Sequence, residues 1–239
     1  MRYVRDTTGR FHQRPHYEMS ELDEACEHIL TNFMQEQHGR LFLPIPTDDL
    51  TKLIERDTDD LDLYADLSDE GPDVEGITYF RRGQKPRVRI AHGLSEQGRS
   101  ENRLRTTLSH EYGHVKFHDP LWQRMRTPTL NLFAETISIS VQKCQRAKIV
   151  SAATSDWMEW QAGYICGALL MPVGQLRKLM RMYLEHNNLY APLSISMTAA
   201  PQLITQVASQ FAVSRDAARI RLIKMGYLTE QEVGPSLFS

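Results

Sequence analysis

The sequence predicts an α+β fold in which a small β-sheet packs with helices, and three observations carry that reading. Apolar residues recur at helical spacing from Leu22 to Met34 and again from Trp157 to Met171. Three short β-rich pieces crowd between Leu61 and Ala91. A further helical pattern, Asn102 to Phe117, follows them, so strands and helices come in blocks and do not alternate. With 239 residues, 41% of them apolar, the chain can bury a full core.

Taken in order, the first helix is expected over residues 20–38, with Ser20 as N-cap and Gly39 just beyond its end. After Pro44-Ile45-Pro46, Thr47 is expected to cap a short helix whose first turn carries Asp48 and Asp49, as the helix dipole prefers. The pieces Leu61–Leu67, Val74–Phe80 and Arg87–Ala91 are separated by Gly-Pro and Gly-Gln-Lys-Pro turn signals and predict a small sheet. Asp119-Pro120 is expected to stop the helix that starts at Asn102. Asn131 to Val141 has strand composition, while the rest of 121–155 carries no clear pattern. Trp157 to Met171 predicts a buried helix closed by Pro172, and Gln175 to Glu185 predicts another. From Pro201 to Leu228 two short apolar periodicities are joined by Ala212-Val213-Ser214, with Ser214 placed to cap the second and Gly226 to end it. This segment is helix-turn-helix-like, and it divides the chain into a main domain, 1–193, and a C-terminal helical segment, 194–239.

Composition excludes several classes. The N-terminal residues are charged and polar without an apolar h-region, and the longest apolar stretch, Tyr164 to Val173, is short and interrupted by Gly167 and Pro172. A cytoplasmic location with no membrane partner is therefore expected. Cys26, Cys144 and Cys166 make an odd count with no C-x-x-C pair, which points to reduced thiols. The formal net charge of −2 gives no general attraction to phosphates. From Asp48 to Glu75 acids dominate, opposed only by Lys52 and Arg56, and the run is expected to be solvated surface.

The chemistry sits in Leu108-Ser109-His110-Glu111-Tyr112-Gly113-His114, an H-E-x-x-H on a predicted helix. Residues four apart lie on one helix face with ~6 Å of rise between them, so the imidazoles of His110 and His114 can converge on one zinc ion. Glu111 is rotated about a quarter turn and reaches the attacking water, as a general base, and not the metal. Gly113 costs about 1 kcal/mol relative to Ala in a helix interior, which predicts a close backbone approach. The partner is the stripe Glu159, Ala162, Gly163, Cys166, Gly167, Leu170, mostly small residues on one face headed by a carboxylate. If the two helices pack there, Glu159 becomes the third ligand, leaving a fourth position open. The other reading of Glu159, a solvated acid favoured by the dipole at a helix start, has equal weight on the residues alone.

The same residues resemble the ImmA/IrrE metallopeptidase family over most of the chain. The matching pieces are Pro44-Ile45-Pro46, Val74 to Phe80, Thr107 to His114, and the long run from Glu159 to Met171-Pro172. The chain departs from the family pattern at Gly163 and Ile165. The resemblance implies a zincin-like active-site helix with His110 and His114 as ligands, Glu111 as base and Glu159 as third ligand. It also implies a zinc-dependent endopeptidase that cleaves a partner protein, a helix-turn-helix repressor, and so relieves repression.

Other residues compete for roles. Glu135, Asp156 and Glu185 are the alternative acids for the metal, but none heads a small-residue stripe. His118 continues the four-residue series, yet it lies two turns and ~12 Å from His110 along the axis, too far to share an ion. It is expected beside the site or as a cation at a helix C-terminus. Tyr164, Tyr112 and His186 are candidates to stabilise the oxyanion. At the C-terminus, Arg215, Arg219, Arg221 and Lys224 would suit DNA. The competing reading is a helical cap that buries Val207, Phe211, Ile220 and Leu222 on the main domain or docks the substrate. The alternative function is thus a DNA-binding transcriptional regulator with a structural or vestigial metal site, disfavoured because DNA readers carry a strong basic footprint.

Overall fold

The computed structural model describes residues 1–71, 73–96, 101–124, 139–145 and 156–231. The fold is α+β. In chain order the elements are β1 (Arg2–Arg5), β2 (Gln13–His16), α1 (Met19–His38), α2 (Thr47–Asp57), β3 (Asp60–Ala65), β4 (Val74–Arg81), β5 (Arg87–Ala91), α3 (His92–Ser95) and α4 (Glu101–Gly113). A widened turn, His114–His118, leads to α5 (Asp119–Arg124), then β6 (Ile139–Gln145), α6 (Trp157–Leu170), α7 (Val173–Asn187), β7 (Leu193–Ser194), α8 (Ala199–Phe211), α9 (Arg215–Lys224) and β8 (Leu228–Thr229). Among the described residues no helix is long and apolar enough to cross a membrane. The chain divides into two compact units, Met1–Leu22 with Pro46–Cys166, and Asp23–Ile45 with Gly167–Ser239.

The first unit is built on a mixed four-stranded sheet of order β3-β5-β4-β6. β3 and β5 run parallel, and β4 is antiparallel to both of its neighbours, with Ile77 opposite Arg89 on one side and Lys143 on the other. Most of β4 is buried, with Val74, Ile77 and Phe80 in the core and the polar Glu75 and Thr78 buried among them. The strand predicted over Asn131 to Val141 overlaps β6 only at its end, because the pairing runs from Ile139 to Gln145; residues 131–138 lie outside the described ones. The hairpin β1–β2 had no pattern to announce it. Its turn is organised by buried Asp6, which accepts from Thr8 N at 3.0 Å, Thr8 Oγ1 at 2.8 Å and Phe11 N at 3.0 Å.

Three predicted helix boundaries differ. Ser20 is not the N-cap: α1 starts one residue earlier, and Glu21 Oε2 accepts from Glu18 N at 2.9 Å, half of a capping box. Thr47 does not cap α2 either. Pro46 holds that position with extended backbone, its carbonyl accepts from Asp49 N and Leu50 N, and the Thr47 hydroxyl donates to Glu101 at 2.6 Å. Nor does Asp119-Pro120 stop the helix. Asp119 N bonds back to the His114 carbonyl, five residues away, and this wider turn admits the proline, which lacks a donor and would clash in a regular α-turn.

The acidic run is also less solvated than its composition suggests. Asp49 and Glu75 are buried, the latter against the Arg103 guanidinium and the Thr107 hydroxyl. Asp57 accepts from Tyr112 OH and Lys116 Nζ, and Asp59 pairs with Arg81 and Arg87. Partner cations and hydroxyls brought in by later elements explain the difference.

The second unit is helical, with Cys26, Leu30, Phe33 and Met34 of α1, Leu176 and Met180 of α7, Leu203, Val207 and Phe211 of α8, and Leu222 of α9 in its core. Val207, Phe211 and Leu222 are thus buried as a cap requires, whereas Ile220 is half-buried. Ser214 caps α9 by accepting from Ala217 N at 3.1 Å. Two residues of β7 pair in parallel with β8 and tie the two ends of the α8–α9 segment together. Its central polar contact is Arg221, 2% exposed, whose Nη2 lies 2.7 Å from Asp23 Oδ1 and 3.3 Å from the Met171 carbonyl.

Removing one partner of a buried pair leaves an uncompensated charge, which costs about 3–5 kcal/mol. Asp23→Ala is therefore expected to lower stability by about that amount, read as a shift in the urea midpoint with an unchanged slope. A midpoint within error of the parent chain would show that Arg221 does not depend on Asp23.

Candidate metal centre

The histidine pair is carried by α4 and the first residue of the turn that follows. α4 packs against α6 where Gly113 meets Ala162: a Cβ on Gly113 would lie 3.1 Å from the Ala162 Cα and 3.4 Å from Ile165 Cγ2. The helix-interior glycine thus has the close approach that its cost demanded. One turn further along α6, Cys166 Sγ donates to the Thr106 carbonyl at 3.3 Å. The two helices run in opposite directions, so His114, one residue after Gly113, faces Glu159, three before Ala162, and His110, one turn back on the same face of α4, reaches the same carboxylate.

The result is a compact polar group. His110 Nε2 and His114 Nε2 are 3.1 Å apart, and the Glu159 carboxylate straddles them, Oε2 at 3.2 Å from His110 Nε2 and Oε1 at 3.2 Å from His114 Nε2. One ligand atom from each residue lies within 4.8 Å of the others, an arrangement that could hold a metal ion. The spacing fits: with bonds of about 2.0–2.1 Å, two tetrahedral ligands sit roughly 3.3 Å apart. Asp156 lies beside Arg10 at 3.4 Å, Glu185 is exposed on α7, and Glu135 lies outside the described residues.

His110, His114, Glu159 and Glu111 are fully buried. Burial opposes the charge on Glu159, yet His114 and His110 beside it hold its carboxyl far below the usual range. It is a buried anion facing two ring nitrogens, which is what a cation would need. Burial likewise acts against a charged His114, but the Glu159 carboxylate outweighs it and raises the imidazole.

Glu111 faces the sheet. The Thr78 hydroxyl of β4 donates to Glu111 Oε2 at 2.5 Å, while Oε1 has no hydrogen-bond partner among the described residues. Burial pushes this carboxyl up, and His114, His110 and the Thr78 hydroxyl only partly offset it. Gly76 makes room: a Cβ there would lie 2.5 Å from Glu111 Oε1. Neither Thr78 nor Gly76 was singled out from sequence, although an isolated glycine inside a strand is itself a sign of close approach.

His118 is buried beside His114, its Nδ1 2.9 Å from His114 Nδ1 and its Nε2 3.1 Å from Gln161 Oε1. Burial and the neighbouring His114 hold it well below the usual imidazole value, so it is neutral and not a helix-end cation. Of the oxyanion candidates, Tyr112 OH donates to Asp57 at 3.1 Å, Tyr164 is buried with its ring stacked on Trp160, and His186 is exposed on α7.

The chain matches no family model, no curated protein and no solved structure.

If Glu159 is the third ligand, Glu159→Ala is expected to lose stoichiometric metal, whereas Asp156→Ala and Glu135→Ala retain it. Metal content is read by elemental analysis of each purified variant, with circular dichroism to check folding. Full metal in Glu159→Ala, with loss in either of the others, would overturn the assignment.

Proposed function

We propose that this protein is a zinc-dependent endopeptidase of the ImmA/IrrE type that hydrolyses a peptide bond in a partner protein. The observation that carries the reading is the juxtaposition of a two-histidine, one-carboxylate donor set with a second carboxylate, Glu111, fixed at one oxygen and open at the other. Two imidazoles and a carboxylate with a fourth position for water or substrate are the donor set of catalytic zinc sites. Bound there, zinc would polarise the scissile carbonyl and acidify water.

The protein's own part is proton transfer. Thr78 pins Glu111 Oε2 and leaves Oε1 to take the proton from the attacking water as its oxygen bonds to the carbonyl carbon. The same oxygen then returns the proton to the nitrogen as the C–N bond breaks. A carboxyl raised by burial suits this double task, because its pKa moves toward the operating pH. The substrate class, a helix-turn-helix repressor, comes from the sequence resemblance.

The alternative, a DNA-binding regulator built on α8 and α9, is weakened by the fate of its basic residues. Arg221 is buried against Asp23 and Arg219 pairs with Glu230 at 3.0 Å, so both are committed within the chain. We read these helices as a cap within their own unit.

Glu111→Gln is expected to keep its zinc, since the three donors are untouched, while cleavage of a co-expressed repressor falls by 10²-fold or more, on the order of the general-base contribution. Cleavage is followed by gel and mass spectrometry against zinc content. Undiminished turnover in this variant would sink the assignment of the base.

A further inference from the structure

We propose that His118 and Gln161 are positioning residues for His114: a one-way chain of hydrogen bonds, starting at the Pro15 carbonyl, fixes a proton on His114 Nδ1 and thereby turns its Nε2 toward His110 and Glu159. The consequence for metal binding rests on the proposed function, but the chain of bonds belongs to the protein alone.

Each link has one permitted direction. The Pro15 carbonyl oxygen can only accept, so Gln161 Nε2, 3.2 Å away, donates to it. That sets the amide, and Gln161 Oε1 faces His118 Nε2 at 3.1 Å. The flipped amide would set two carbonyl oxygens against each other, with no proton between them. An amide oxygen can only accept, so His118 carries its proton on Nε2. His118 is fully buried and its ring nitrogens meet only the Gln161 amide and the His114 imidazole among the described residues, with no carboxylate to hold a second proton, so its Nδ1 presents a lone pair. At 2.9 Å from it, His114 Nδ1 must donate. With that nitrogen committed, only Nε2 of His114 remains for the site.

The chain is held at its middle. Trp157 packs edge-on to the His118 ring, centroids 5.4 Å apart and planes at 85°, and Trp157 Nε1 is fixed by donating to Asp6 Oδ1 at 3.1 Å. The widened turn His114–His118 is the local device that brings the two rings together, 5.0 Å between centroids.

The usual partner behind a ligand histidine is a carboxylate or a backbone carbonyl. Here it is a neutral imidazole. A carboxylate at this place would add a third buried anion beside Glu111 and Glu159, whereas an imidazole relayed to an amide orients His114 without adding charge.

The test has two readouts on the full chain. Nitrogen-15 imidazole NMR of the metal-free protein is expected to show His118 protonated at Nε2 and bare at Nδ1, with a proton on His114 Nδ1. A proton on His118 Nδ1 overturns the proposal. Metal affinity is then measured with Co2+ against a chelating dye. His118→Phe keeps the bulk but loses the acceptor, and it is expected to weaken binding by about 10–100-fold, as does Gln161→Leu if the phenylalanine variant fails to fold. His118→Asn places an amide oxygen near the Nδ1 position and is expected to restore affinity to within about threefold of the parent. Parent-like affinity in His118→Phe would mean the contact only fills space, and the proposal falls. If the parent itself takes no Co2+ while the NMR pattern holds, the metal reading fails and the bonding chain stands.

Discussion

The closest approach of α4 and α6, at Gly113 and Ala162, is the constraint on which the polar group of the first unit depends. A helix pays for an interior glycine with backbone entropy, and only a contact that no Cβ would permit returns that cost. At 3.1 Å from the Ala162 backbone to where a Cβ would stand, the contact has no slack. Because His110, His114 and Glu159 all lie within a turn of the residues that touch, on helices that run in opposite directions, their separation is set by backbone packing. Spacing of this kind is what a metal with short bonds needs, since an error of half an ångström exceeds the tolerance of its coordination.

Electrostatics explains why so many polar groups survive without water. Glu159 is stabilised as an anion by two imidazoles, Glu111, whose carboxyl burial raises, holds a bond from Thr78, and His118 keeps two hydrogen bonds. An isolated buried charge would be far too costly, so the cluster persists only because each member has a named partner. The sheet contributes directly: β4 supplies the hydroxyl of Thr78 and, two residues earlier on the same face, the bare Gly76 that lets Glu111 lie against it.

The second unit uses a different logic. Its helices are joined by apolar packing, and Arg221 is turned inward to Asp23, 198 residues away in sequence. That inward turn removes a cation from the surface that the charge pattern of α9 would otherwise offer, and it replaces an electrostatic reading of the helix with a packing one.

The elements whose signal is local were legible in the residues: the helical periodicities that became α1, α4 and α6, the three β-rich pieces, the Ser214 cap, and the His110, Glu111 and His114 spacing that any α-helix turns into one face. The Gly113 cost and the small-residue stripe also foretold which helices would touch, because close packing leaves a mark on composition. What tertiary structure alone decided is long-range and chemically unmarked. Thr78, Gly76 and Gln161 are ordinary residues until Glu111 and His118 arrive against them, and Glu75 and Arg221 read as surface charges until distant partners bury them. Pro120 read as a stop because a regular helix cannot hold it, and only the widened turn before it made the continuation possible. Periodicity is written in neighbours along the chain, whereas a hydrogen bond across the core is written nowhere until the chain has folded.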